Sequence, residues 1–154
     1  IGTNSETNDI KNPLPFDVKR RIMETLCPEI TGHIVSELNL FTLASTIFDK
    51  FGDNVEINIF TDEKWLEQTL IKYNGVESKH GYYKFRTITN NNTERLSSST
   101  DLRNAIVSGD RNWFKLSSGI SPDMEITINN RVFKYFDIID EYIKDRTNVK
   151  RIKR

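Results

Sequence analysis

A chain of 154 residues has the length of one typical domain, or of a small module fused to a second, incomplete one. Acidic and basic residues balance at 22 each, which leaves no whole-chain field to draw nucleic acid or a charged membrane. A hydrophobic fraction of 36% with nine phenylalanines is enough for a core, and one cysteine, Cys27, excludes an intramolecular disulfide framework and fits a reducing compartment.

The chain opens on Ile1 rather than methionine, as a fragment or a processed product would. Residues 1–12, IGTNSETNDIKN, are polar and unpatterned and read as a flexible tail. No apolar run approaches the roughly 20 residues of a membrane span, and no charged-then-apolar leader stands in the sequence. An intracellular setting, cytoplasmic or nuclear, is the expectation.

Residues 13–51 carry two helical patterns. Pro15 suits a first helical turn, where its missing N–H would be unsatisfied in any case. Val18, Ile22 and Leu26 then recur at i, i+4 and i+8 on one face, which Met23 widens. Cys27, on the same helix, reads as an inert buried thiol. Pro28 ends the helix and Gly32 marks a break. The second pattern, Ile34, Leu38, Phe41, Ser45 and Phe48 with Val35, Leu43, Ala44, Ile47 and Phe51 beside it, is apolar over more than half its circumference and calls for burial on more than one side.

The Leu14-Pro15 start, the Val18, Ile22 and Leu26 spacing and the leucine- and serine-rich helix beyond resemble an F-box. The resemblance covers about a quarter of the chain. It implies docking onto a Skp1-type adaptor through Leu14, Pro15, Val18, Ile22, Leu26, Leu38 and Phe41, with a target presented to a cullin ubiquitin ligase. The family's late basic and aromatic cluster is reduced here to Phe48, Lys50 and Phe51, and no tryptophan closes the motif. The plainer alternative is an ordinary helical hairpin with a proline start.

Residues 52–88 read as strand, helix, strand. VEINIF alternates, with Val55, Ile57 and Ile59 on one side. Thr61 or Asp62 can cap the next helix, along which Trp65, Leu66, Thr69, Leu70 and Tyr73 form a core face, and Asn74-Gly75 ends it. GYYKFRTI comes next, with Tyr83 and Phe85 opposed to Tyr82, Lys84, Arg86 and Ile88. Aromatic strands interleaved with basic residues are similar to RNA-recognition sheets, although Ile57 and Ile59 stand where that family carries an aromatic. Cross-strand packing in an ordinary sheet is the other reading.

Residues 89–100, TNNNTERLSSST, form a polar linker and a candidate module boundary. Asn91-Asn92-Thr93 matches a glycosylation acceptor that matters only in a secretory setting. In 101–146, Asp101 caps a short helix with Leu102, Ala105 and Ile106, Ser108-Gly109 breaks it, Asp110 caps another turn presenting Trp113 and Phe114, and Ser121-Pro122-Asp123 turns into the strand Met124, Ile126, Ile128. Asn129-Asn130 turns again into a last helix bearing Val132, Tyr135, Phe136, Ile139, Tyr142 and Ile143. This order resembles the opening half of the NTF2-like family over about 45 residues, and implies a dimerising or small-ligand-binding domain with Trp113, Phe114 and Phe136 about a pocket. Residues 147–154 belong to a basic terminal tail.

His33 and His80 are far apart and lack the neighbours of a metal site, and neither a phosphate-binding glycine loop nor a nucleophile elbow is present. The reading is therefore an α+β chain in which an N-terminal helical hairpin precedes a small antiparallel sheet with helices packed on one face. Strands are expected near 55–60, 82–88 and 123–128, and helices near 62–74, 101–108 and 131–144. Its function is read as a non-enzymatic protein–protein interaction module, in its sharpest form an F-box-like adaptor. The alternatives are the NTF2-like domain and an RNA-binding sheet with a basic tail. No catalytic residue, metal, cofactor, membrane or nucleic-acid partner is expected.

Overall fold

The computed structural model describes residues 2–3, 11–37, 39–61, 63–89 and 97–152, with side chains through Thr147. In chain order the elements are β1 (Gly2–Thr3), α1 (Phe16–Leu26), a 3-10 turn (Pro28–Ile30), β2 (Val35–Ser36), α2 (Leu40–Phe51), β3 (Ile57–Phe60) and α3 (Lys64–Tyr73). Then come β4 (Glu77–Ser78), β5 (Gly81–Tyr82), β6 (Phe85–Ile88), α4 (Ser99–Ser108), α5 (Arg111–Ser118), β7 (Glu125–Ile128), β8 (Arg131–Lys134) and α6 (Tyr135–Ile152). The fold is α+β. Its strands pair only in twos, as β1-β2, β3-β6, β4-β5 and β7-β8, so the expected common antiparallel sheet does not form among the described residues.

The chain divides into two compact units, one drawn from Thr3–Ser36 and Arg95–Arg154, the other from Glu37–Glu94 together with Gly2. The boundary between Ser36 and Glu37 separates α1 from α2, so the expected 13–51 hairpin is not one structural piece. Each helix has found a different core. Of the expected linker 89–100, residues 90–96 lie outside the described ones, as does most of the 1–12 tail.

In the first unit, α1 buries Val18 and Ile22 with Ile126 and Ile128 of β7, Ala105 and Ile106 of α4, Phe114 of α5 and Phe136, Ile139 and Ile143 of α6. The alternation in β7 is as read, with Ile126 and Ile128 inward. Beyond β7 the chain departs from the expected helix. Asn129 and Asn130 both take positive φ, 49° and 61°, the conformation of a two-residue hairpin turn. They fold RVFK back as β8, antiparallel to β7 with Ile126 opposite Phe133, and the helix starts only at Tyr135 and continues to Ile152. Arg21 Nε donates to the Thr127 carbonyl at 3.0 Å, fixing α1 along the hairpin.

The capping of α4 also corrects the sequence reading. Ser98, not Asp101, is the N-cap, and Asp101 completes a capping box by accepting from the Ser98 N–H and hydroxyl at 2.7 Å each. Gly109, left-handed at φ 73°, ends α4, and Asp110 caps α5 by accepting from the Trp113 N–H at 2.8 Å. One short loop thereby stops one helix and starts the next.

In the second unit β3 and β6 run parallel, Ile57 opposite Phe85, with α3 connecting them in sequence. Parallel strands need a crossover of this kind, and the pair departs from the antiparallel pairing expected of 55–60 and 82–88. Ala44 and Phe48 of α2 close a core with Ile57, Leu70 and Phe85. The Asn74 side chain acts as a strand surrogate: its Oδ1 accepts from the Phe85 N–H at 2.6 Å and its Nδ2 donates to the Phe85 carbonyl at 2.9 Å. Trp65, expected in the core face, is 63% exposed, because buried Leu70 and half-buried Leu66 supply the inward i, i+4 pair instead. Asp62 lies outside the described residues, and Thr61 accepts from the Glu63 N–H at 3.0 Å.

Two separate cores make a localised prediction. Phe48→Ala and Phe114→Ala should each destabilise by about 3–5 kcal/mol. By hydrogen exchange Phe48→Ala should expose amides of α2, β3 and β6 while β7 and α6 keep their protection; uniform acceleration would contradict the division. Acid provides a second test. The two Ser98 hydrogen bonds hold the Asp101 carboxyl below its ordinary pKa of 3.8. A carboxyl lowered by folding contributes stability that is fully present above the ordinary value and lost as pH falls through the folded one. The melting-temperature gap between wild type and Asp101→Asn should therefore shrink once pH falls below 3.8, and a constant gap would reject the box as its origin.

Candidate functional site

The hairpin turn of β7 and β8 places Arg131 opposite Ile128, and α6 begins directly after β8. On α6, Ile138, Glu141, Tyr142 and Asp145 stand at i, i+3, i+4 and i+7, one stripe of the helix. Hairpin, stripe and Val18 of α1 together enclose a cleft of about 260 Å³. Its buried floor is Val18, Ile128 and Ile138, half-buried Phe133 and Tyr142 form walls, and exposed Asn129, Arg131, Glu141 and Asp145 make the rim.

Charge is unevenly satisfied around this cleft. The Arg131 guanidinium lies over the Phe133 ring, 5.5 Å from its centroid. Asp17, Glu141 and Asp145 form no ion pair among the described residues. Burial, followed by the negative charges of Asp17, Glu141 and Asp145, raises the pKa of the Tyr142 phenol, with Arg146 opposing. The geometry suits an elongated group with an apolar stem and a polar head.

A different polar junction lies in the second unit. His80, in the β4–β5 turn, has Nε2 3.1 Å from Ser45 Oγ and 3.3 Å from Asp49 Oδ1, while Nδ1 is 3.9 Å from Asp53 Oδ1. A serine and a carboxylate therefore share one ring nitrogen, and the other nitrogen lacks a hydrogen bond to Asp53. This is the geometry of a tether between the turn and α2 rather than of an activated nucleophile. Among the described residues no group of three or more His, Cys, Asp or Glu could hold a metal ion, and no helix is long and apolar enough to cross a membrane.

The residues expected to dock a partner are dispersed. Val18 and Ile22 are only 2% and 7% exposed, Leu14 packs at the margin of the same core, Pro15 is half-buried and Leu26 is exposed. Phe41 belongs to the second unit, 4.6 Å from the Tyr73 ring and 5.9 Å from Tyr83, and Leu38 lies outside the described residues. Phe114 and Phe136 meet edge-on at 5.3 Å within the core, whereas Trp113 is 47% exposed. Phe114 and Phe136 therefore serve the core, and Trp113 stands at the surface. Tyr83 and Phe85 stack at 5.1 Å and pack in the second core, which leaves Tyr82 and Arg86, rather than the stacked pair, exposed on that stretch.

The cleft residues went unnoticed in the sequence because their assembly needs β8. With residues 131–134 taken as helix, Arg131 shares a face with Tyr142 eleven positions on, but Phe133 falls on the opposite side of the helix from Tyr142. The available signal was Asn129-Asn130, a pair suited to the hairpin conformation. No family model, curated protein or solved structure matches the chain.

Cys27 also departs from expectation. It caps α1 at its C-terminus and is exposed, with Sγ donating to Glu29 Oε2 at 3.2 Å. That hydrogen bond, more than burial, holds the thiol pKa above its ordinary value. Because the thiolate is the reactive form, Cys27 should alkylate more slowly than a free cysteine at neutral pH, and Glu29→Gln should accelerate it. Iodoacetamide rates checked by mass spectrometry would reject this if the variant were no faster.

Proposed function

We propose that this chain is a non-enzymatic protein-interaction module that docks a folded partner through the outward face of α5. The observation that supports this reading is the exposure of Trp113 and Leu116, 47% and 73%, one helical turn apart on α5. Between them Phe114 anchors the helix in the core, so the exposed pair stands on a fixed support. Val107, on the neighbouring α4, is exposed as well. Tryptophan in such a position contributes disproportionately to protein–protein binding, since it removes a large rigid surface from water at low entropic cost.

The F-box-like adaptor is the narrower form of the same proposal, in an intracellular setting where Cys27 stays reduced. Its docking would draw on Leu14, Pro15 and Leu26, because Val18 and Ile22 are occupied in the core. The two forms separate experimentally. Affinity capture should be performed with the wild-type chain, Trp113→Ala and Leu26→Ala, against a Skp1-type adaptor and against cell lysate, with folding checked by circular dichroism. Trp113→Ala should weaken capture of a specific partner by about 2 kcal/mol or more while the fold persists. Loss with Leu26→Ala alone, and capture of the adaptor, would favour the F-box form. Partner binding indifferent to Trp113 would reject the α5 face. A concentration-dependent dimer abolished by Trp113→Ala would instead make that face a self-interface, as the NTF2-like alternative requires.

A further inference from the structure

We propose that the cleft between the β7–β8 hairpin and α6 receives an arginine side chain presented by the partner protein. The source of the side chain rests on the interaction-module reading; the chemistry of the cleft stands on its own residues. At about 260 Å³ the cleft is smaller than the roughly 300 Å³ at which pockets for drug-sized ligands begin. It has room for a side chain rather than for a whole cofactor. A floor of Val18, Ile128 and Ile138 offers apolar surface to a methylene stem, which long basic side chains bury while keeping their charge near water.

The rim selects the head group. Glu141 and Asp145 stand one turn apart beside Tyr142, and neither is neutralised by an ion pair among the described residues. Asp17 adds its charge to the same place, felt at the Tyr142 hydroxyl together with those of Glu141 and Asp145. Two basic groups oppose them. Arg146 acts against the carboxylates at Tyr142, and Arg131 rests on Phe133. Three carboxylates against two guanidinium groups leave a net attraction for a cation and repulsion for a carboxylate or phosphate. Between the two basic side chains the site favours arginine. Its planar fork can bridge paired carboxylates while its face lies against the Tyr142 ring, whereas an ammonium is a strongly hydrated point charge. Arg131 over Phe133 already shows a guanidinium–ring contact in this wall.

The test uses the full chain and amide-resolved NMR titration with three probes: the tripeptide acetyl-Gly-Arg-Gly-amide, its citrulline counterpart and free n-propylguanidinium. The arginine peptide should cause saturable shifts confined to residues around 128–133 and 138–145, reversed by n-propylguanidinium as competitor. Citrulline keeps the shape but lacks the charge and should bind about fivefold more weakly or worse. The double variant Glu141→Gln with Asp145→Asn, which changes only exposed side chains, should weaken the arginine peptide to a similar degree at unchanged melting temperature. Unsaturable shifts, equal binding of citrulline, or a double variant that binds as wild type would overturn the proposal. None of these readouts involves the α5 face. Lost arginine binding with Trp113-dependent capture intact rejects the cleft alone, and the reverse result rejects the α5 reading alone.

Discussion

The contact on which the first unit depends is that between the Val18 and Ile22 face of α1 and the β7 strand more than a hundred residues later. The Arg21 hydrogen bond to Thr127 spans 106 positions in the chain. Neither partner is stable alone. An eleven-residue helix is marginal in water, and an isolated two-stranded hairpin is no better. Packed together, they bury Val18, Ile22, Ile126 and Ile128 in one cluster and give α4, α5 and α6 a surface to cover. The cleft depends on the same contact, because Val18 is part of its floor.

The second unit solves a smaller problem by other means. Two parallel strands of four residues each expose unpaired backbone groups at their margins. The Asn74 amide satisfies both backbone groups of Phe85, in the manner of a neighbouring strand. Around it Phe41, Phe48, Tyr73, Tyr83 and Phe85 form a chain of ring contacts between 4.6 and 5.9 Å. Aromatic side chains bury large areas each, which lets a unit of this size assemble a core from few residues.

Local chemistry was legible in the sequence, and long-range partnership was not. The α+β class, the alternation in 57–60 and 125–128, the Pro28 and Asn74-Gly75 stops and the Asp110 cap could all be read from neighbouring residues. The hairpin failed as an expectation because periodicity shows that α1 and α2 each have an apolar face but cannot say what covers it. Residues 131–134 invite a helical reading because Val132 and Tyr135 also fit a helical spacing, while the left-handed Asn129-Asn130 pair decides the turn. Ser98 lost its capping role to Asp101 in the reading since both residue types cap well, and only the reciprocal hydrogen bonds distinguish them. The cleft required the strand register and the helix phase together, so no stretch of sequence contained it.

The insertion of Glu37–Glu94 between the two parts of the first unit has a consequence for biosynthesis. At about 5–20 residues per second on the ribosome, α1 emerges several seconds before β7 exists to receive it. During that interval Val18 and Ile22 face water or a chaperone, whereas Glu37–Glu94 has all of its own core residues as soon as it has been made. Once folded, that stretch brings less conformational freedom to the closure of α1 on β7 than an open loop of the same length would. The inserted unit thereby acts as a preassembled spacer, and the order of translation favours folding from the middle of the chain outward.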